Sequence, residues 1–391
     1  MAQENVSKIG VVTATIIGMN AMIGAGIFTA PAAIGSFVGP AGIIAYVFVI
    51  IAVWFIAQSL ARVASRFPQE GSFYTYAKQW GGHAIGCIAG YSYLIGLLIA
   101  MGLLAQIAGS FLHHPFFPNT SSSTLGFIAL CSLVVLNMFG VVLSELGQQI
   151  LIVTTTFPLL ATTIMCFTKA NLNNLLPFAP YGFRNVMQAT KIVIFGFFGF
   201  ECASSLFSIV KDPQRNVPRA LTYSIGIVGG IYLLFVGSII LSTPLALFTD
   251  PRVALPVVLQ SIFPANPWML TIIHISMLSA VLGTIHSMIW SSSALMVSLL
   301  KQANGIKLNQ RAAVLIVGFC IFLSFIFFKN IDLFFSMTAI FIITAYVLSM
   351  FTLFTIKEER SGINGLMTVG GMLTAGVIFY FAFEGLVQQL V

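Results

Sequence analysis

An all-α polytopic membrane protein is the fold class that this sequence predicts, and three observations predict it. Charged residues make up 7% of the 391-residue chain and hydrophobic residues 58%, whereas soluble domains carry roughly a quarter charged residues. Apolar runs of membrane-crossing length recur along the whole chain. Lysines and arginines gather in alternate connections between those runs, the pattern that sets orientation in a bilayer. The net charge of +7 therefore points to a lipid bilayer rather than to nucleic acid.

Taken in order, and with roughly 20 apolar residues needed per crossing, the runs give about eleven spans. They lie near residues 9–37, 41–63, 84–112, 124–143, 150–167, 186–210, 220–241, 268–300, 312–328, 333–356 and 366–386. The first run is too long for a signal-peptide core and lacks a convincing cleavage site, so it is read as a span. The long first, third, sixth and eighth runs leave room for tilt or a break. Pro158 falls inside the fifth run and is placed to kink it. The connections 169–188 and 243–267 are the longest polar interruptions. Five prolines between 244 and 267 forbid a continuous helix there.

With the N-terminus inside, the cytoplasmic side holds Lys8, Arg62, Arg66, Lys78, Lys211, Arg215, Arg219, Lys301, Lys307, Arg311, Lys357 and Arg360. Lys169, Arg184, Lys191, Arg252 and Lys329 fall outside. An odd span count places Val391 outside. The cysteines at 87, 131, 166, 202 and 320 lie in or beside apolar runs without metal or redox spacing, and read as small packing residues.

Two places interrupt the smooth helices. The first is Asn20-Ala21-Met22-Ile23-Gly24-Ala25-Gly26-Ile27-Phe28, followed by Pro31. The second is Phe195-Gly196-Phe197-Phe198-Gly199-Phe200-Glu201. Glycine often serves packing between membrane helices, and each stretch alone fits that use. Together they occupy the first and sixth spans, matching positions if the chain holds two five-helix halves. Paired interruptions of that kind mark binding sites in transporters. Freed N–H groups at a half-helix start suit a carboxylate, and freed carbonyls suit an ammonium or another cation. An amino acid carries both groups.

Glu201 lies at membrane depth, where a carboxylate costs about 2.5–3.5 kcal/mol on insertion scales, so it is expected to face the bundle interior and to be able to exchange a proton. A permanently protonated structural carboxyl is the alternative. Glu384, near the end of the last span, is expected to reach the interface. In the eighth span, Ser292 and Ser293 are candidates for a sodium site, against the commoner use of serines in bonding back to helix carbonyls. His286 reads as a helix-packing residue.

These residues resemble the amino acid–polyamine–organocation transporters, particularly their bacterial amino-acid antiporters and permeases. Four stretches carry the resemblance in order: Gly24-Ala25-Gly26-Ile27-Phe28; Phe67-Pro68-Gln69-Glu70-Gly71-Ser72-Phe73-Tyr74-Thr75-Tyr76; Gly199-Phe200-Glu201 with Lys211-Asp212-Pro213-Gln214-Arg215-Asn216-Val217-Pro218-Arg219-Ala220; and His286 through Ser293. The resemblance implies a five-plus-five inverted-repeat fold with discontinuous first and sixth helices. The repeats would be 1–170 and 180–356, with 357–391 as an accessory helix. It implies substrate held by Ile23, Gly24, Ala25, Gly26, Phe195, Gly196, Phe197 and Gly199, with Phe195 closing over it and Met101 and Met288 near its side chain. Tyr93, Glu201 and Tyr346 resemble the outward-side gate cluster of the arginine/agmatine exchangers. Met101 and Met288 favour a neutral substrate side chain, and the fifth span lacks the buried lysine of proton-coupled relatives. Pro213 and Pro218 are expected to end the sixth helix. A homodimer is compatible with the family.

No nucleophile elbow, aspartate pair, zinc motif or cofactor-binding pattern appears, which argues against an enzyme. No charge ring or repeated filter sequence marks a channel. The function expected is transport of an amino acid or a related amine by alternating access, as an exchanger, with a proton- or sodium-coupled symporter as the alternative and an intramembrane enzyme or a non-transporting sensor as the competitors from another class.

Overall fold

The computed structural model describes residues 9–67, 72–139, 145–201, 210–248, 255–265, 267–328 and 330–390. Residues 68–71 of the second family stretch, Cys202, Arg252, Lys329 and the end of the sixth span lie outside the described residues. Of Ala25 only the backbone is described.

Each expected span meets a helix or a helix pair. The first is α1 (Val11–Met22) and α2 (Ala25–Phe37), bent by 47°. Gly24, in extended conformation with no side-chain cap, separates the two arms. The next four are α3 (Gly42–Arg66), α4 (Ser72–Phe116), α5 (Ser122–Met138) and α6 (Glu145–Phe167). The sixth begins as α7 (Phe183–Gln188) and α8 (Thr190–Phe195), and the seventh is α9 (Pro213–Ser242). After the short α10 (Leu255–Ile262) come α11 (Pro267–Asn304), α12 (Gln310–Phe327), α13 (Ile331–Met350) and α14 (Gly362–Leu390). Among the described residues, seven helices are long and apolar enough to cross a membrane, and the bent α1–α2 pair makes an eighth. Helix α5 and the end of α6 are shorter apolar helices.

Polar caps fix several helix starts at the edges of the apolar zone. The side chains of Ser121, Asn309 and Asn330 accept backbone N–H groups at the starts of α5, α12 and α13, satisfying donors that a helix cannot pair internally. Pro213 corrects an expectation. It opens α9 at the first helical position instead of ending the sixth helix, and Pro218 lies inside α9. A proline's missing N–H and fixed φ suit a helix start.

Helix α4 departs from a single rod. Gly82 adopts a φ of 69° inside it, a conformation that only glycine takes cheaply. The segment 72–81 thereby folds back along the next turns. A β-carbon on Gly90 would meet Tyr74 Cβ at 3.2 Å.

Helix α9 packs on α1, α3 and α6, and α8 lies against both α3 and α13, while α4, α5, α11, α12 and α13 form a set centred on α4. Helix α14 lies against both α3 and α13.

Candidate functional site

The two interruptions meet. A β-carbon on Gly26 would stand 2.7 Å from Gly196 Cα and 3.1 Å from the Phe195 carbonyl oxygen. Gly199, at a φ of 110°, lies against the Ala21 carbonyl with no room for a side chain. Gly24 abuts Thr284 of α11, whose Oγ1 would be 2.6 Å from an added β-carbon. Glycine is needed here because backbone touches backbone, and a clash between main chains cannot be relieved by a rotamer change.

Around this contact the expected residues separate. Ile23, Phe195 and Phe197 are buried, as is Met101, while Met288 is half-buried. Phe195 packs edge-on against Phe335 of α13, with ring centroids 5.1 Å apart, and against Phe198 at 6.2 Å. Phe197 packs instead on Tyr232, at 5.1 Å.

Glu201 is buried, as its depth requires. Its Oε1 accepts the Tyr93 hydroxyl at 2.5 Å and its Oε2 accepts the Gly199 N–H at 3.0 Å. Tyr346 belongs to the same aromatic cluster, 5.4 Å from Phe200 and 6.5 Å from Tyr93. Phe73 closes it, 4.3 Å from Tyr93 and 5.6 Å from Tyr346. Phe73 enters from the connection bearing Arg66 and Lys78, the basic face expected to be cytoplasmic, because the turn at Gly82 folds that segment back into the bundle.

Two charged residues also depart from expectation. Lys191, counted with the basic residues of the outer side, is fully buried in α8 and pairs with Asp332 of α13 at 2.8 Å. Glu384, expected at the interface, is largely covered; it accepts from Arg184 and, at 3.2 Å, from Gln188 Nε2. A buried ammonium demands an anion, and Asp332 supplies it one turn before Phe335. Sequence reading missed Lys191 because its partner lies 141 residues away.

At the basic face, Arg62 joins α3 to the accessory helix. It donates to Glu359 at 3.0 Å, to the Asn364 carbonyl at 2.9 Å and to Thr368 at 2.9 Å. In the eighth span, Ser293 bonds back to the Ile289 carbonyl at 2.6 Å. Ser292 is buried with no hydrogen-bond partner for its hydroxyl among the described residues. His286 receives a hydrogen bond from Asn137 of α5 at 2.9 Å, tying two helices together as expected.

Tyr232 of α9 was not anticipated. Its hydroxyl lies 2.8 Å from the Met22 carbonyl oxygen and 3.0 Å from that of Gly196.

A broken first helix touching a broken sixth helix, with the other helices packed around them, is the architecture of a polytopic secondary-transporter fold. The crystal structure of MhsT in complex with L-phenylalanine is similar throughout, with a TM-score of 0.72 at 15% identity, covering 96% of this chain and 98% of that chain. The model of the amino acid permease family matches residues 13–304, and the chain belongs to that family, within the amino acid–polyamine–organocation superfamily. Among relatives, it is 25% identical to the branched-chain amino acid permease BcaP of Bacillus subtilis over 295 residues, 71% of this chain and 62% of the permease. It is 29% identical to the transporter Rv1979c of Mycobacterium tuberculosis over 259 residues, 59% of this chain and 54% of that protein. The matched regions thus span less than two thirds of these relatives' own lengths.

Proposed function

We propose that this chain carries a neutral amino acid across the cytoplasmic membrane by alternating access, as an exchanger, with its N-terminus inside. The observation that carries the reading is the contact between the two interruptions, Gly26 against Gly196, within the membrane-spanning bundle. Half-helix termini there present N–H groups to a carboxylate and carbonyls to an amine. The reading assigns Ile23, Gly24, Ala25, Gly26, Phe195, Gly196, Phe197 and Gly199 to that place, with Met101 and Met288 as its apolar wall. The name of the branched-chain permease relative agrees with a neutral side chain.

The proposed motion is a rocking of α1, α3, α8 and α9 against the group centred on α4. Lys191–Asp332 joins α8 to α13, and Tyr93–Glu201 joins α4 to the segment that follows α8. Each is a latch that one state makes and the other releases. Glu201 links closure of the basic side to proton occupancy. The excess of lysine and arginine on the Arg62 face supports the assignment of that face to the cytoplasm. The proposed repeats are 1–170 and 180–356, followed by the accessory segment 357–391.

One observation favours a second reading, sodium-coupled uptake: the buried Ser292 hydroxyl without a partner beside Ser293. Uptake of a labelled amino-acid panel into proteoliposomes separates the two. Uptake that requires unlabelled amino acid trapped inside establishes exchange. Uptake into empty vesicles driven by an inward sodium gradient establishes symport. No uptake or binding of any amino acid removes the proposal.

A further inference from the structure

The ammonium of Lys191 ends where three helices meet. The side chain comes from α8 and is fully buried, and Asp332 of α13 supplies its anion at 2.8 Å. The backbone of α14 supplies the floor. A β-carbon on Gly385 would fall on the ammonium itself, and would lie 3.1 Å from the hydroxyl oxygen of Ser336. Ser336 stands four residues after Asp332 in α13, and its buried hydroxyl has no hydrogen-bond partner among the described residues. Two small residues, one from α13 and one from α14, thus form a socket with an acid at its rim.

Backbone geometry does not ask for glycine at 385. The residue lies inside α14 without a positive φ, where glycine costs about 1 kcal/mol against alanine. The neighbouring side chains fasten this end of α14 to both partners of the pair. Glu384 accepts from Arg184 and Gln188 of α7, the helix that leads into α8. Gln389 accepts from Asn330, which caps α13 two residues before Asp332. A side chain at 385 would press on the far end of a flexible lysine, so the fold can yield. The ammonium, however, could not stay beside Asp332.

We propose that Gly385 is a positioning residue for the Lys191–Asp332 pair: one end of the accessory helix offers bare backbone where the ammonium must sit. This deepens the proposed function and rests on its reading of that pair as a latch.

The test compares Gly385→Ala with Gly376→Ala, a substitution in the same helix at a glycine whose added β-carbon would have no neighbour within 4 Å. By helix propensity alone, both should stabilise α14. Gly376→Ala is expected to keep the parent's uptake and to melt no lower. Gly385→Ala is expected to melt below the parent and to slow uptake of a labelled amino-acid panel about three- to tenfold. It is also expected to open Lys191 to a water-soluble acetylating reagent, read by mass spectrometry, from which burial protects it in the parent. In Lys191→Met, whose side chain is one atom shorter and vacates the socket, adding Gly385→Ala is expected to change uptake by less than about twofold. Acetylation and melting need no substrate, so they report on Gly385 even if no transported amino acid is found. Three outcomes overturn the proposal: Lys191 still protected in Gly385→Ala, uptake unchanged despite exposure of Lys191, or an equal loss with and without Lys191. The first falls on Gly385 alone, and the second on the latch. Should Gly385→Ala fail to fold, folding restored by Lys191→Met supports the role, and failure of both overturns it.

Discussion

The region around Glu201 and the region around Lys191 handle charge in opposite ways. In the first, the Glu201 carboxyl takes a hydroxyl from Tyr93 and an N–H from Gly199, and the carbonyl pair of Met22 and Gly196 takes a hydroxyl from Tyr232. In the second, the buried Lys191 pairs with Asp332, and Arg184 pairs with Glu384. Neutral donors bind a carboxyl without demanding that it stay ionised, which is compatible with the proton exchange proposed for Glu201. A charged pair resists separation, because each partner left alone in a poorly hydrated place is costly. The difference teaches where the proposed cycle is expected to adapt and where it is expected to latch.

The largest effect is expected where neither device helps, at the touching backbones. Gly26→Val should reduce uptake and binding to background, because its side chain must displace Gly196 Cα. Full affinity in that variant would show that the site lies elsewhere. Next comes the Lys191–Asp332 pair. Lys191→Met and Asp332→Asn should each impair uptake strongly, and the double variant should recover much of the loss, with a coupling of about 0.5–3 kcal/mol. Strictly additive losses would show that the pair does not act as a latch.

Glu201→Gln should change the pH profile of uptake more than its selectivity, since the amide keeps the side chain's shape and one acceptor oxygen but cannot exchange a proton. A pH profile identical to the parent's would remove Glu201 from coupling. Arg62→Ala, which unties α14 from α3, should lower the melting temperature and leave KM nearly unchanged. A large KM effect would place the accessory helix inside the transport cycle. The smallest effect is expected at Ser292→Ala. Exchange should proceed unaltered, while a lost sodium response would favour the symport reading.

Much of this was legible in the chain before any coordinates. The spans were visible because a lipid-crossing helix must be long and apolar. The interruptions were visible because glycines at matching places in two halves are conspicuous against that background, and Glu201 stood out as a carboxyl at membrane depth. The packing of Phe73 into the Tyr93–Glu201–Tyr346 cluster was not legible. It depends on a reversal at Gly82, a single glycine among many. Lys191 read as an outer basic residue because sequence counting assigns any lysine near a span end to the nearest loop.

The sequence by itself determined that the chain spans the membrane many times, where glycines interrupt its first and sixth apolar runs, and which carboxyl falls within such a run. Those are properties of local composition, and water and lipid sort them residue by residue. Only the tertiary structure decided what each buried polar group faces: Lys191 with Asp332, Arg62 with Glu359, and Tyr232 with the carbonyls of two separate helices. Partners of that kind lie far apart along the chain, and helix packing alone brings them within hydrogen-bonding distance.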